Sequence, residues 1–231
     1  MADRRDLDVA IETGLTQQAI VDCENSSSLL DRVIHCHRGR GGRTIVGISG
    51  IEASGKSTIT DELANRLSTL GHDVLVIRGD EFSTTKAVRN NNPDTVRGYL
   101  DDAYDYSHLS LRVLEPLRSA AVTEISYVST DPETDDAVES RARVSERALV
   151  IVEGVLLFRG PLFDQFDLRI WVDVSFDESL RRAVMRPRDL HYYGNAESIV
   201  SRYESRFHPA QKIHAREDRP QLTSHVIVRS R

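Results

Sequence analysis

The chain has 231 residues, of which 39% are hydrophobic and 29% are charged, and its formal net charge is −6. This length suits one sizeable domain and leaves little room for two, and the composition is typical of a soluble globular protein. The acidic balance and the lack of a strongly basic segment argue against nucleic-acid binding. Any anion-binding site therefore has to come from local geometry.

The N-terminal region shows no export signal and no membrane anchor. Residues 1–6 are charged without a following apolar stretch, and no run of 18 apolar residues occurs along the chain. Cys23 and Cys36 are too few for a disulfide framework, and no Cys/His metal spacing appears. We therefore expect a cytoplasmic protein that does not contact a membrane.

The spacing of apolar residues in residues 1–42 predicts a helical extension, which precedes a main domain of residues 43–231. Apolar residues recur at helical spacing in residues 11–19 and again in residues 29–37. Glycines in residues 38–43 end this pattern. The arginines of that segment are predicted to lie in a solvated turn, with contact to a phosphate group as the alternative.

The main domain alternates short apolar runs with helical patterns, which is typical of a parallel sheet covered by helices on both faces. Five predicted strands cover residues 44–49, 74–77, 149–152, 168–172 and 224–228. A further short strand is predicted over residues 124–128, followed by an acidic loop over 129–137. Predicted helices cover residues 57–70, 108–121, 176–185 and 196–214, and Pro209 is expected to bend the last of them.

A glycine-rich loop connects the first of these strands to the following helix. Its residues, all predicted to bind ATP, are Gly50, Ile51, Glu52, Ala53, Ser54, Gly55, Lys56 and Ser57, together with the adjacent Thr58. The spacing G-x-x-x-x-G-K-S lets the backbone wrap around phosphate oxygens, and the helix N-terminus favours negative charge. Lys56 is expected to reach the outer phosphates, and the Ser57 hydroxyl to bind Mg²⁺.

The loop predicts an α/β fold of the P-loop NTPase type, with a five-stranded parallel sheet. It does not by itself identify the reaction, because many nucleotide-binding proteins share it. The Asn-Lys-x-Asp motif that GTPases usually carry is absent, and so is a transporter signature of the Leu-Ser-Gly-Gly type.

Carboxylates follow three of the predicted strands, at the sheet edge where ligands bind in parallel α/β folds. Asp80 follows the second strand and is placed to orient an acceptor hydroxyl and take its proton. Glu81 beside it is predicted to be a turn residue. Glu153 ends a buried strand at a Walker B position, where it would bind Mg²⁺ directly or through water. Asp173 is predicted to have a structural role.

These features together resemble the uridine kinase branch of the P-loop kinases, whose relatives include phosphoribulokinase, pantothenate kinase and nicotinamide riboside kinase. The resemblance covers about residues 44–228, and its segments occur in the order found in the family. They are residues 47–57, 79–82, 102–105, 152–158, 181–189 and 202–209.

The resemblance implies a role for each matching residue. Asp80 and Lys56 would be catalytic, and Ser57 and Glu153 would bind Mg²⁺. Asp105 would hold ribose hydroxyls, because one carboxylate can accept two hydrogen bonds. The implied acceptor-binding residues are Asp80, Phe82, Tyr104, Asp105 and Tyr127. For Tyr127, ordinary packing of a strand residue remains an equal alternative to a position near a nucleobase.

Residues 186–195 are predicted to form a loop that acts as a lid over ATP. Arg182, Arg186 and Arg188 are its expected ATP-binding residues, because forked guanidinium groups match phosphate geometry. The sequence departs from the family after Tyr127, where an aromatic residue and a histidine usually read the pyrimidine. The phosphoryl-transfer groups are thus present without the pattern for pyrimidine recognition.

The sequence therefore predicts an ATP- and Mg²⁺-dependent kinase that phosphorylates the 5′-hydroxyl of a nucleoside, with uridine or cytidine as first candidates. The alternative acceptors are nicotinamide riboside, a pantothenate-like alcohol or a sugar phosphate. A nucleotide-binding regulator without turnover is the alternative from another class. Its partners are expected to be ATP and a small acceptor, and homo-oligomers are compatible with this prediction.

Overall fold

The fold is given by a computed structural model that describes residues 18–22, 26–131 and 134–229. The helical pattern predicted over residues 11–17 lies outside the described residues, and so does Cys23. Within the described ranges, no helix combines the length and apolar character needed to cross a bilayer.

Eight strands occur in the described chain. They are β1 Ala19–Asp22, β2 Thr44–Gly50, β3 Val74–Arg78, β4 Glu124–Thr130, β5 Ala137–Arg143, β6 Leu149–Gly154, β7 Leu168–Asp173 and β8 Val226–Arg229. Six of them form a parallel sheet in the order β1-β8-β7-β2-β6-β3, and β4 and β5 form a separate antiparallel pair. The central strands β2 and β6 are buried along their whole length, which explains their continuous apolar sequences.

The predicted parallel α/β fold is confirmed, but the predicted strand count of five is wrong. The sixth strand is β1, which pairs with β8 from Ala19 opposite Val226 onward. Ala19 had been assigned to a helical pattern. Only Val21 is buried in this four-residue edge strand, so its apolar pattern is too short to distinguish a strand from a helix.

Eleven α-helical segments connect the strands within the described ranges. They are α1 Ser26–Arg40, α2 Lys56–Thr69, α3 Lys86–Arg89, α4 Thr95–Arg97, α5 Tyr106–His108, α6 Glu115–Leu117, α7 Phe176–Ala183, α8 Pro187–Tyr193, α9 Ala196–Arg202, α10 His208–Glu217 and α11 Pro220–Thr223. π-Helical turns follow three of them, at Gly98–Asp102, Leu109–Leu114 and Tyr203–Phe207. The 3₁₀ turns are Gly79–Phe82 and Gly160–Gln165.

The segment predicted as a lid loop contains helix α8, which corrects that part of the prediction. Pro187 occupies the first turn of the helix, where its missing N–H costs nothing. Gly194 follows the helix with a φ of 86°, a conformation that favours glycine at a helix end. Pro187 and Gly194 therefore mark the start and the end of a short helix.

The long predicted helix after the lid is present from Ala196 to Glu217, with a π-helical turn in its middle. Pro209 lies just after this turn, and it offers no N–H to the carbonyl group one turn earlier. The helical pitch changes at Tyr203–Phe207, and the bend expected at Pro209 stays a prediction.

The two faces of the sheet bury separate hydrophobic clusters. Ile45 and Val150 pack into one cluster, and their neighbours Val46 and Ile151 into the other. Helix α1 contributes Leu29, Leu30 and Val33 to the second cluster. The described part of residues 1–42 is therefore built into the core of the main domain.

Arg43 links the start of β2 to the elements on the first face of the sheet. Its guanidinium group donates to five backbone carbonyl groups, and the side chain is only 7% exposed. The acceptors are the carbonyl oxygens of Leu117, Ser119, Val122, Val144 and Ser145. The predicted solvated turn is thus wrong for this arginine.

Replacement of Arg43 by methionine is expected to lower the free energy of unfolding by about 3 kcal/mol, because buried carbonyl groups would lose their donors. Urea unfolding measures the change. The matched control is R38M at an exposed arginine on α1, for which we expect less than about 0.5 kcal/mol. Equal stability of R43M and R38M would contradict the structural role of Arg43.

Candidate active site

The glycine-rich loop leaves the carboxyl end of β2 and enters helix α2. Ala53 and Gly55 turn the chain with φ values of 52° and 95°. A Cβ atom on Gly50 would lie 2.6 Å from the backbone oxygen of Val172 on the neighbouring strand, so only glycine fits there. Lys56 is buried, and its Nζ donates to the carbonyl oxygen of Ile51 at 2.8 Å.

Three carboxylates interact electrostatically with the ammonium group of Lys56. Burial lowers the pKa of Lys56, while the negative charges of Glu52, Glu153 and Asp80 oppose that effect. Three of the residues singled out from the sequence are therefore brought close to this lysine. The positive charge of Lys56 thus lies where the ends of the strands meet the glycine-rich loop.

The loop is also held from the side of helix α7. Ser179 Oγ donates to the backbone oxygen of Glu52 at 2.7 Å, and His208 Nε2 lies 3.2 Å from the same hydroxyl oxygen. The Tyr99 hydroxyl donates to Glu52 Oε1 at 2.6 Å. Sequence analysis did not identify these supporting residues, because they lie in segments far from the loop along the chain.

The predicted Mg²⁺ ligands Ser57 and Glu153 lie side by side. Ser57 Oγ is 3.3 Å from Glu153 Oε2, and Arg78 donates to the same carboxylate oxygen at 3.0 Å. The described residues include no cluster of three His, Cys, Asp or Glu side chains that could hold a metal alone. A hydroxyl and a carboxylate at the end of a phosphate loop nevertheless fit Mg²⁺, which takes its remaining oxygen ligands from phosphates and water.

Two clefts meet beside this loop. One cleft, of about 600 Å³, is lined by loop residues 53–58 and by Arg181, Arg182, Arg186 and Arg188, and we call it the donor cleft after the predicted ATP-binding residues. The other, of about 310 Å³, contains Asp80 and Tyr104, and we call it the acceptor pocket after the predicted role of these two residues. Arg186 and Arg188 line both spaces, so the boundary between the two clefts consists of lid residues.

Each predicted lid arginine has a defined contact. Arg182 donates to the Ser54 carbonyl oxygen at 3.0 Å, which ties α7 to the phosphate loop. Arg186 forms a two-pronged ion pair with the buried Asp189, at 3.0 and 2.8 Å. Arg188 Nη2 donates to Asp80 Oδ2 at 2.7 Å across the acceptor pocket.

Only part of the predicted acceptor-binding set lines the pocket. The ring of Tyr104 does so and stacks on Tyr106 with a centroid distance of 5.2 Å. Asp105 is exposed, and its Oδ1 caps helix α5 by accepting from the His108 N–H at 2.9 Å. It does not belong to the pocket lining in this conformation.

Phe82 and Tyr127 pack in the hydrophobic core. Their rings stack at 5.2 Å, and the Tyr127 hydroxyl donates to Glu81 at 2.7 Å. The pocket lining contains neither ring. A role for these residues in acceptor binding therefore stays a prediction. Glu81, predicted as a solvated turn residue, instead accepts a hydrogen bond from this strand.

Other pocket residues had no predicted role. They include Lys86, Arg89, Tyr99, Arg202 and Arg206. Arg202 belongs to the segment of residues 202–209 that resembled the family without an assigned contact. The sequence did not predict that these residues line one pocket, because they come from three separate segments of the chain.

The chain matches a known protein family over most of its length. The sequence model described as the Phosphoribulokinase / Uridine kinase family matches residues 45–228. The chain belongs to this family. It is an ATP-dependent kinase with a P-loop fold, as the resemblance implied.

Individual relatives agree with this assignment. Uridine-cytidine kinase B of Dictyostelium discoideum is 30% identical over 171 residues, which cover 72% of this chain and 67% of the relative. The uridine kinase of Clostridium perfringens is 28% identical over 163 residues, covering 68% and 74% respectively. A structure described as a possible uridine kinase from Bacillus stearothermophilus has a TM-score of 0.66 at 20% identity. It covers 87% of this kinase and 99% of its own chain, and it supports the fold.

His208 gives the kinase a pH-sensitive support beneath the phosphate loop. The Ser179 hydroxyl group donates its hydrogen to the Glu52 carbonyl oxygen. The neutral His208 ring therefore donates from Nε2 to the Ser179 oxygen. Burial lowers the pKa of His208 to about 4, with help from Lys212 and against the charge of Asp177.

The free energy of unfolding is expected to fall as the pH decreases below about 6.5, because the unfolded chain then binds a proton that folded His208 excludes. Between about pH 6.5 and 5 this loss should reach 1–2 kcal/mol. H208Q keeps a donor for Ser179 and should remove that part of the dependence, whereas the exposed H35Q should not. His225, whose pKa is also lowered to about 4, should leave part of the pH dependence of the free energy of unfolding in H208Q.

Urea unfolding at a series of pH values provides the measurement. If the free energy of unfolding of H208Q depends on pH as strongly as that of the wild type, the His208 imidazole is not the titrating group.

Proposed function

We propose that the kinase transfers the γ-phosphoryl group of Mg²⁺-bound ATP to the 5′-hydroxyl of a nucleoside, with uridine and cytidine as first candidates. The observation that carries this proposal is the position of Asp80. Its carboxylate lies in the acceptor pocket and contacts Arg188, which lines the donor cleft as well. The Asp80 carboxylate, which can take a proton, would thus lie beside both the hydroxyl group of the substrate and the terminal phosphate of ATP.

On the donor side, the residues serve to bind and orient the triphosphate. The amides of Gly50–Ser57 and the N-terminus of α2 would face the phosphates, and Lys56 would add a positive charge. Ser57 and Glu153 would hold Mg²⁺, which supplies neutralisation of the phosphate charge when it is bound. Arg182 keeps the loop and helix α7 together through the Ser54 carbonyl.

On the acceptor side, Asp80 would orient the hydroxyl group and take its proton. The Asp80 carboxylate pairs with Arg188 before any acceptor is bound. An incoming hydroxyl would share Asp80 Oδ2 with that guanidinium or replace it. Arg186 and Arg188 would then face the transferred phosphoryl group and help exclude water.

The choice of a nucleoside rests on the relatives, which are a uridine-cytidine kinase and a uridine kinase by name. Tyr104 offers the pocket an aromatic face that suits a flat or ribose-bearing acceptor. The positions of Phe82, Asp105 and Tyr127 outside the pocket favour a second candidate. That candidate is the same transfer to a different small alcohol.

Replacement of Asp80 by asparagine should lower kcat by roughly 100-fold or more while ATP binding persists, because the amide cannot accept the proton. Acceptor-dependent ADP release measures turnover, and equilibrium titration with an ATP analogue measures binding. D101N, at an exposed aspartate outside the pocket lining, is the matched control. Wild-type turnover in D80N would remove Asp80 from the mechanism.

A panel of acceptors is expected to identify uridine or cytidine as the compound that most stimulates ADP release. The panel also contains nicotinamide riboside, pantothenate and a sugar phosphate, each assayed with Mg²⁺ and ATP. Inactivity of both pyrimidine nucleosides beside one active non-nucleoside would reject the nucleoside proposal. The second candidate would then describe the enzyme.

A further inference from the structure

Glu52 belongs to the phosphate loop, whose residues were predicted to bind ATP, but it lines the acceptor pocket. It does so together with Asp80 and Tyr104. The loop residues that line the donor cleft begin at Ala53 and do not include Glu52. The backbone of Glu52 remains part of the loop, because its carbonyl oxygen accepts a hydrogen bond from the Ser179 hydroxyl group at 2.7 Å. Backbone and side chain of this residue therefore serve different compartments.

A tyrosine holds the Glu52 carboxylate in the wall of the pocket. The hydroxyl group of Tyr99 donates to Glu52 Oε1 at 2.6 Å, and Tyr99 is only 4% exposed. The Tyr99 ring lies edge-on to the ring of Tyr104 at a centroid distance of 6.2 Å, and it packs against Phe207 at 4.7 Å. Because these two rings fix Tyr99, they also fix the position of the carboxylate.

The second oxygen of this carboxylate is accessible to a ligand. Within the described chain, the hydrogen bond from Tyr99 is the only one that the Glu52 side chain accepts. Glu52 Oε2 is not one of the buried side-chain atoms that lack a partner, so water or a ligand in the pocket can reach it. Because an ionised carboxylate can only accept hydrogen bonds, Oε2 favours a ligand group that donates one.

The charge of Glu52 acts on residues from several sides of the acceptor pocket. Burial raises the pKa of Tyr104, and the charges of Asp80 and Glu52 raise it further. Burial also raises the pKa of Tyr193 to about 12, again with a contribution from Glu52. Since Asp80 and Glu52 both act on the Tyr104 hydroxyl group, a ligand beside Tyr104 would meet two carboxylates.

Glu52 offers the contact that the sequence analysis expected from Asp105. Asp105 caps helix α5 and lies outside the pocket lining. Among the carboxylates of the lining, Asp189 already accepts hydrogen bonds from Arg186 at both oxygens. Asp80 would face the reacting hydroxyl group. Glu52 therefore remains as the carboxylate of the pocket lining that can accept a hydrogen bond from a different hydroxyl group.

We propose that Glu52 is a specificity-determining residue of this kinase, whose carboxylate binds a second hydroxyl group of the acceptor while Asp80 faces the reacting one. The inference rests on the proposed phosphoryl transfer and assigns a residue to recognition of the acceptor. A carboxylate suits this task, because a charge-assisted hydrogen bond is about twice as strong as a neutral one. The phosphate loop then contacts ATP through its backbone and the acceptor through one side chain.

Acceptor binding in the absence of turnover tests this role. The full chain is saturated with Mg²⁺ and a non-hydrolysable ATP analogue, and acceptors are then titrated by calorimetry. The probes are uridine, cytidine, nicotinamide riboside, pantothenate and ribose 5-phosphate, each of which has a hydroxyl group besides the one that would react. We expect the Kd of the compound that binds most tightly to rise about 10-fold in E52Q, because the amide keeps the shape and loses the charge.

Control variants separate recognition of the acceptor from a disturbed loop. E62Q changes an exposed glutamate on α2, outside the pocket lining, and should bind the acceptor like the wild type. Y99F removes the hydrogen bond to Oε1 but keeps the charge of Glu52, so its effect should be smaller than that of E52Q. The ATP analogue should bind E52Q at least as tightly as the wild type, because a negative charge near Lys56 is lost.

A deoxy analogue identifies the group that Glu52 binds. 2′,3′-Dideoxyuridine keeps the 5′-hydroxyl group of uridine and lacks the other two hydroxyl groups. With uridine, E52Q should lower kcat/KM about 10-fold, mainly through KM. With the dideoxy compound, E52Q and the wild type should differ by less than about twofold. A merely structural effect of E52Q would lower kcat/KM for both compounds alike.

The inference and the proposed transfer fail in different ways. The role of Glu52 is overturned by equal acceptor binding in E52Q and the wild type, by a loss in D105N instead of E52Q, or by no binding of any probe to the wild type. Efficient turnover with equal kinetics in E52Q would likewise reject this role and leave the kinase proposal intact. Acceptor binding that depends on Glu52, combined with no acceptor-stimulated ADP release, would reject the transfer and support the role of Glu52 in recognition.

Discussion

The close approach of β2 to its neighbouring strands positions the groups that are predicted to be catalytic. Gly50 ends β2 where a side chain would collide with the Val172 carbonyl oxygen, so the chain turns into the phosphate loop at that point. On the other side, β6 is in register with β2 and ends at Glu153 and Gly154. Since parallel strands direct their carboxyl ends to one edge, loop, lysine and carboxylates meet there.

Charge pairing then divides the space at this edge into two compartments. The donor cleft contains the phosphate loop, and the acceptor pocket contains Asp80 and several arginine side chains. Arg186 and Arg188 form the boundary through ion pairs with Asp189 and Asp80. The two compartments are thus linked, because the same guanidinium groups bind the carboxylates of one compartment and line the other.

Regular local patterns explain which elements could be predicted from the sequence. The apolar strands β2, β3, β6, β7 and β8 and the phosphate loop have short-range signals that were recognised correctly. The edge strand β1 was missed because only Val21 is buried in it. Helix α8 was missed because it has only seven residues, which is too short for a clear helical period in the sequence.

The sequence by itself determined the nucleotide loop, the strand-end carboxylates and membership of a kinase family, because these depend on residues that are neighbours in the chain. Only the tertiary structure decided which residues line the pocket beside Asp80. The Asp80–Arg188 pair joins positions 108 residues apart, and the contact of Arg206 with Asn90 joins positions 116 apart. Such contacts are created by folding, since no short-range pattern encodes which distant arginine will face a given pocket.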